Sequence, residues 1–439
     1  MAGLRRLGGG FWKLWTASVL SKLGDGVSVV AYPWLAGTLT RNPLLIAGLA
    51  VATRLPWLLV SLPAGAYVDR GDRRRLMVGM DTIRLLLTAL VAIAVLTKTM
   101  SLPLLYATAL LLGCAEVLFD NASQAILPSI VAADRLERAN GTLWSAQLVM
   151  ESFLGPPLGG LLIGIALAAP FMVDAGSFGA SAGLILLIGG AFRARGPVAA
   201  ASASAASPAV DGAPAARRSL RAEIGEGLRW LWRHRLLRTL ALLLGGMNAM
   251  FQLALATEVL FAQEILHLSA RGFGILFTAS ALGGVIGGQL APLLSRRLGP
   301  GLSLLLALAV PVVSLCVVGS TSNPVVVGAM FAVEMFFGLL WNVITVSLRQ
   351  TIIPDHLLGR VNSVYRFFGW GMMPLGSLLG GALVALATPL GGRHLALRVP
   401  FFVAAGVYLV MLLLALSRLS TAKIEQAKAD AKTAAGASS

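Results

Sequence analysis

The sequence predicts an all-α membrane protein with twelve transmembrane helices in two pseudo-symmetric six-helix bundles. Three observations predict it. The composition is too apolar for a water-soluble chain, the apolar residues fall into twelve runs near bilayer length, and one motif series recurs in the second half.

Of 439 residues, 57% are apolar and 12% charged, against roughly 25% charged in ordinary globular chains. Mean hydropathy is +0.82. The 49 glycines suit helices that pack closely in lipid. A bilayer core about 30 Å thick needs about 20 apolar residues per helix. Backbone groups in lipid must bond within their own segment, so such runs are helices.

The first half reads as six spans: Phe11–Ala36, Leu44–Val68, Leu76–Leu96, Leu102–Ala122, Ser145–Leu167 and Pro170–Phe192. The second half reads as Leu236–Phe261, Gly272–Leu294, Gly301–Gly319, Pro324–Val346, Ser363–Leu386 and Leu397–Leu416. No small-residue cleavage site follows the first run, which reads as a retained helix and not a signal peptide.

These spans divide the chain into an N-terminal bundle over 1–192, a linker over 193–235, a C-terminal bundle over 236–418 and a tail over 419–439. Residues Val198 to Ala216 are almost all Ala, Ser, Pro and Gly, a composition that cannot bury a core. From Ser219 to Trp232, Leu220, Ile224, Leu228, Leu231 and Trp232 recur at helical spacing beside Arg221 and Arg229. That is a basic amphipathic helix for the membrane surface. The Ala- and Lys-rich tail is expected to be disordered.

Basic residues set the orientation. One set of loops holds Arg5, Arg6, Arg70, Arg73, Arg74, Arg75, Arg135, Arg138, Arg296, Arg297, Arg349, Arg360, the linker arginines and Lys423–Lys432. The other holds Arg41, Lys98, Arg271, Arg393 and Arg398. The richer set is cytoplasmic by the positive-inside rule. Both termini and the linker then share one side, which requires an even number of spans. The expected location is the inner (cytoplasmic) membrane. The net charge of +16 follows from these loops, so nucleic acid is not an expected partner.

The repeat supports the division into halves. Gln124-Ala-Ile-Leu-Pro128, Asn140 and Gly159-Gly160 follow the fourth span. Gln350-Thr-Ile-Ile-Pro354, Asn362 and Gly380-Gly381 follow the tenth in the same order. Duplicated halves are expected of a carrier that alternates about a central site.

Several chemistries find no support. Cys114 and Cys316 lie far apart and outside any CxxC, as packing residues do. His234, His267, His356 and His394 show no metal-ligand spacing. There is no HExxH, GxSxG or GxxxxGK[ST]. No metal, cofactor or enzymatic activity is expected.

The turn after the second span reads Gly65-Ala-Tyr-Val-Asp69-Arg70-Gly71-Asp72-Arg73-Arg74-Arg75. It resembles the signature loop of the major facilitator superfamily. In that family the acidic and basic residues form a latch that stabilises the outward-open state, which assigns latch roles to Gly65, Asp69, Arg70, Arg73 and Arg74. Asp72 departs from the pattern by standing where a second glycine is usual. The fifth span carries Gly155-Pro156-Pro157-Leu158-Gly159-Gly160, similar to the kinked helix of the family's antiporters. Ser21-Lys-Leu-Gly24-Asp25, Leu127-Pro128, Arg138-Ala-Asn140-Gly141 and Glu223-Ile-Gly-Glu-Gly227-Leu are similar to the branch holding enterobactin exporters and macrolide-efflux proteins. The resemblance implies a major facilitator fold and export. The second-half counterpart of the loop, Leu294-Ser-Arg296-Arg297-Leu-Gly299, has no Asp.

Ionisable groups at membrane depth are functional candidates by default. Lys22, Asp25, Arg54 and Glu334 fall near mid-span, and Glu116 lies somewhat nearer the cytoplasm. Asp25, Arg54, Glu116 and Glu334 are the candidates for proton coupling or substrate contact. Asp25 could pair with Lys22, with Arg54, or with neither. Asp81, Arg84, Asp120 and Glu151 read as gate or latch residues, and Asp174 and Glu258 as solvated external groups. Trp57, Phe119, Met335, Phe336, Phe337, Trp341 and Met372 could line an apolar cavity. The expected function is proton-coupled export of an amphiphilic small molecule such as a drug, siderophore or other secondary metabolite. The alternatives are a lipid carrier, an importer, or a receptor-like protein of the same fold. Expected partners are the substrate, protons and membrane lipids, with the chain a monomer.

Overall fold

The computed structural model describes residues 7–60, 63–64, 67–68, 71–132, 135–189 and 220–436. Ten of the described helices are long and apolar enough to cross a membrane. Two further rods, α1 (Gly9–Leu39) and the 17-residue α2 (Pro43–Leu59), complete twelve.

The first bundle continues with α3 (Arg73–Leu96), α4 (Leu102–Ile130), α5 (Leu136–Leu148), a π-helical turn over Val149–Leu154, α6 (Gly155–Ile165) and α7 (Ala169–Leu186). Helix α5, the π turn and α6 form one span. The surface helix α8 (Leu220–Arg233) precedes the second bundle. That bundle comprises α9 (Arg235–Leu255) with its short continuation α10 (Glu258–Glu264), then α11 (Ala270–Leu298) and α12 (Pro300–Ser320). Helices α13 (Pro324–Ile352), α14 (Asp355–Ala396) and α15 (Val399–Leu416) complete it.

Helix starts follow local chemistry. Asn42 Oδ1 accepts from the Leu44 N–H at 2.9 Å, with Pro43 in the first turn. Asn323 and Pro324 start α13 in the same way. In both, the side-chain oxygen satisfies an orphan donor and proline supplies a pre-set φ. Asp72, the residue that departs from the signature pattern, caps α3 by accepting from the Arg75 N–H at 3.0 Å. The π turn lies directly before Pro156 and Pro157. Two successive residues without N–H groups release the carbonyls one turn earlier, and the helix widens there.

The recurring glycine pairs explain how the halves meet. A Cβ on Gly159 would lie 2.5 Å from the Val27 carbonyl oxygen in α1. One on Gly160 would lie 2.6 Å from the Ala270 carbonyl oxygen and 3.1 Å from Gly274 Cα in α11. In the other half, a Cβ on Gly380 would lie 2.2 Å from the Leu253 carbonyl oxygen in α9, and one on Gly381 2.8 Å from the Pro43 carbonyl oxygen in α2. The first glycine of each pair packs on the opening helix of its own bundle. The second packs on the opposite bundle. The interfaces α6–α11 and α2–α14 are thus related by the repeat.

The tail differs from expectation. Residues Thr421–Gly436 form a helix, α16, which packs on α12 and α13. Leu419 and Ile424 are fully buried, and Thr421 Oγ1 accepts from the Gly301 N–H at 3.2 Å. Two apolar anchors in an Ala- and Lys-rich segment are enough once a bundle offers them a groove. Most of the linker, including Val198 to Ala216, lies outside the described residues. Helix α8 is present, packed on α14, with Leu231 fully buried and Trp232 stacked on Phe368.

Gly160→Leu should separate α6 from α11 and lower stability by about 1–3 kcal/mol, the usual cost of overpacking. Gly176→Leu, where a Cβ meets nothing within 4 Å, should be near neutral. Thermal unfolding of both variants in detergent checks this.

Candidate functional site

Two helices of the first bundle, α1 and α3, each place one buried cation inside it. Lys22 on α1 has a side chain 8% exposed. Its Nζ donates to Glu116 Oε1 at 2.6 Å and lies 3.2 Å from Asp25, 3.4 Å from Asp120 and 3.7 Å from Glu151. Arg84 on α3 is sealed from solvent. Its guanidinium pairs with Asp25, donates to Ser21 Oγ at 2.9 Å and lies 3.4 Å from Asp81. Its Cζ also stands 3.9 Å over the Phe178 ring, an electrostatically favourable stack. Asp25 bridges the two cations.

Helical spacing builds this cluster. Ser21, Lys22 and Asp25 share one region of α1, Asp81 and Arg84 are three apart on α3, and Glu116 and Asp120 are four apart on α4. Glu151 enters from the π turn. There the widened register brings the backbone so close to α1 that a Cβ on Gly26 would lie 2.4 Å from the Glu151 carbonyl oxygen.

Two cations therefore stand within ion-pair distance of five carboxylates: Asp25, Asp81, Glu116, Asp120 and Glu151. With all of them ionised the sum is three negative charges. Exposure is graded across the cluster. Glu151 is 39% exposed, while Asp81 is fully buried. The accessible end of this electronegative cluster is at Glu151 and the sealed end at Asp81.

A second acidic site lies in the other bundle. Glu334 on α13 is half-buried and, among the described residues, makes no ion pair or hydrogen bond. Its charge acts on Glu258, which is 5% exposed, and on the Tyr408 phenol.

The two bundles are also tied by ions at one end. Arg393 of α14 makes a bidentate pair with Glu264 of α10, at 2.9 and 3.0 Å, and donates to the Arg41 carbonyl at 2.7 Å. Arg41 itself lies 3.7 Å from Glu264 and donates to Gln263. This network closes the end that carries the sparsely basic loops.

A model of the MFS_3 family, described as transmembrane secretion effectors, matches residues 7–435. The chain belongs to this family. Among curated proteins it is similar to the multidrug efflux pump Tap of Mycobacterium tuberculosis, 30% identical over 396 residues, covering 88% of this chain and 89% of the relative. It is also similar to the enterobactin exporter EntS of Citrobacter koseri, 26% identical over 392 residues, covering 86% of each. Among solved structures, a variant of the nucleoside transporter NupG superposes with a TM-score of 0.73 at 11% identity, covering 94% of this chain and all of that one. That likeness concerns the fold. The resemblance read from the signature loop and the Gly-Pro helix is thus borne out, and as a family member the chain is a multi-pass membrane transporter.

The structure gathers the sequence candidates unevenly. Asp25 and Glu116 lie in the cluster. Asp25 pairs with Lys22 and with Arg84, and not with Arg54. Arg54 is exposed and, among the described residues, makes no ion pair, although its charge acts on Glu116. Glu334 lies apart, in the second bundle. Asp81, Arg84, Asp120 and Glu151, expected from sequence to be gate or latch residues, are members of the buried cluster. Asp174 and Glu258, expected to be solvated, are 2% and 5% exposed. Depth counted along straight helices misplaced them, because it cannot show which face of a helix turns inward. Of the latch residues, Gly65, Asp69 and Arg70 lie outside the described residues. Arg73 donates to the Ala125 carbonyl at 2.8 Å and Arg74 to the Leu186 carbonyl at 2.5 Å. Of the aromatic cavity candidates, Phe119 and Trp341 are buried in helix packing, whereas Trp57 meets Trp370 across the bundles at 5.4 Å.

Arg84→Ala would leave Asp25 and Asp81 without a shared cation in a sealed site. It should cost about 3–5 kcal/mol, as breaking a buried pair does. Arg84→Lys should recover part of that loss, because it restores the charge without the fork geometry. Thermal unfolding of the two variants in detergent distinguishes them.

Proposed function

We propose that the protein exports amphiphilic small molecules across the cytoplasmic membrane in exchange for protons, as a monomer with both termini in the cytoplasm. The observation that carries this reading is the excess of carboxylates around Lys22, open at Glu151 and sealed at Asp81. In a medium of low dielectric such an excess is not sustained without cations. Protons entering at the open end neutralise it, and so does a cationic or polar group of a substrate. A site that takes one or the other provides the competition that an antiporter needs. The similarity to an efflux pump and to an enterobactin exporter supports export and a substrate of amphiphilic character.

The conformational side of the cycle follows from the interfaces. Rigid bundles rock about a central site in this architecture. The backbone contacts at Gly160 and Gly381 give α6–α11 and α2–α14 smooth surfaces that let helices slide. The Arg393–Glu264–Arg41 network holds shut the end assigned to the outside. Opening that end requires Arg41 to part from Glu264 and Gln263 and Arg393 to release the Arg41 carbonyl, while the Arg393–Glu264 pair stays within the second bundle. Arg54 is exposed and its charge acts on Glu116, so it would meet an anionic or polar substrate group on that side of the cluster.

Two outcomes are expected. In cells or vesicles loaded with a panel of antibiotics, dyes and siderophores, at least one compound should be extruded, and an uncoupler should abolish its gradient. Extrusion that ignores the uncoupler would remove the proton from the mechanism. Glu334→Gln should abolish proton-driven export while the protein still inserts at normal level. Unchanged transport would exclude Glu334 and leave the first-bundle cluster alone as the coupling site.

A further inference from the structure

Behind the cluster at Lys22, between α1, α3 and α7, lies a carboxyl group that the cluster does not use. Asp174, in the second turn of α7, is 2% exposed. Its Oδ2 accepts from Ser28 Oγ at 2.5 Å. Its Oδ1 is buried and has no hydrogen-bond partner. Among the described residues, no lysine, arginine or histidine nitrogen lies within ion-pair distance of it. A bare carboxylate faced only by the neutral hydroxyls of Ser28 and Ser177, in a bundle surrounded by lipid, is a costly species. The neutral acid is not.

The local geometry suits an acid proton. The Asp174 carboxyl fills the notch that Gly24 leaves in α1. A Cβ at position 24 would lie 2.1 Å from Asp174 Oδ1 and 2.3 Å from Ser177 Oγ. Ser177 donates its own hydrogen to the Asp174 backbone carbonyl at 2.7 Å. With its hydrogen on that carbonyl the Ser177 oxygen presents lone pairs to a protonated Oδ1, and with the hydroxyl turned it donates to the carboxylate. This accounts for Gly24 in the Gly24-Asp25 motif: glycine makes room for a carboxyl from another helix.

The charged and titratable groups facing Asp174 are Asp25 and Tyr32 from α1 and Arg84 from α3, with Asp81 beyond Arg84. Arg84 binds Asp25 through one terminal nitrogen and Ser21 and Asp81 through the other, but its Nε is buried without an acceptor. The Tyr32 hydroxyl is likewise buried without a partner. The guanidinium has unused donor capacity close to Asp174.

We propose that Asp174 is a second proton-binding site of the transport cycle, and that its proton controls the hold of Arg84 on Asp25. With the proton on, Asp174 is neutral and Arg84 stays with Asp25, as the structure shows. When the proton leaves Oδ1 for water, the new carboxylate competes for the guanidinium, which keeps all its own protons. Asp25 is then released to accept a proton from the side of Lys22. The proposal rests on the proton-coupled reading given above.

The test is a pH titration of the purified full-length protein in detergent by infrared difference spectroscopy, comparing wild type with Asp174→Asn. The wild type should show, at neutral pH, one carboxylic-acid C=O band that the variant lacks. A variant spectrum that keeps every acid C=O band and loses a carboxylate band instead would overturn the assignment. Should Asp174→Asn fail to give monodisperse protein, Gly24→Ala serves instead. It displaces the carboxyl from its notch and should shift that band, and an unshifted band counts against the site. Ethidium efflux from vesicles, with and without an uncoupler, separates the two readings. Uncoupler-insensitive efflux with the band present overturns the role in transport. Uncoupler-sensitive efflux with no band overturns the site while the coupling stands.

Discussion

Lipid supplies no counter-ions, and the first bundle is organised by that fact. Lys22 and Arg84 lie where water does not solvate them, so the protein must surround them with acceptors. Those acceptors come from α1, α3, α4 and the π turn. The helices that carry them cannot shift independently without stranding a charge. Asp25 sits between the two cations and couples the open part of the cluster to the closed part. The same constraint that makes the site stable makes it responsive: changing the charge of one member alters what the others can bind.

Backbone proximity provides the second organising feature. Gly26, Gly155 and Gly159 let α1 and the α6 span meet at van der Waals distance. That approach places Glu151 against Lys22. Gly160 and Gly381 do the same between bundles. Without side chains at these points, helix surfaces are smooth and the contacts consist of dispersion and weak carbonyl interactions. Such contacts are dense and cheap to slide, unlike the interlocked ion pairs of Arg393, Glu264 and Arg41 at one end. A carrier needs both kinds, one as a bearing and one as a lock.

Local chemistry fixes where helices begin: Asn42-Pro43 and Asn323-Pro324 start helices because one side chain caps the next turn. The glycine pairs at 159–160 and 380–381 were recognised as a repeat, and the structure shows matching packing roles. The tail was misread because Leu419 and Ile424 have little weight in an average of composition, yet each fills a groove that only the folded bundle creates.

Apolar run length, the distribution of arginines and the duplicated motif determined the membrane class and the twelve-span architecture, and the signature loop and Gly-Pro helix carried the family resemblance, because each depends on the bilayer or on residues near in sequence. Only the tertiary structure decided which charges meet. Lys22 and Glu116 are ninety-four residues apart, and Ser28 and Asp174 one hundred and forty-six. Whether such groups touch depends on the rotation of each helix about its axis, which is set by the packing of all its neighbours at once. A rotation of a few tens of degrees separates a gate residue facing water from a carboxyl sealed against arginine.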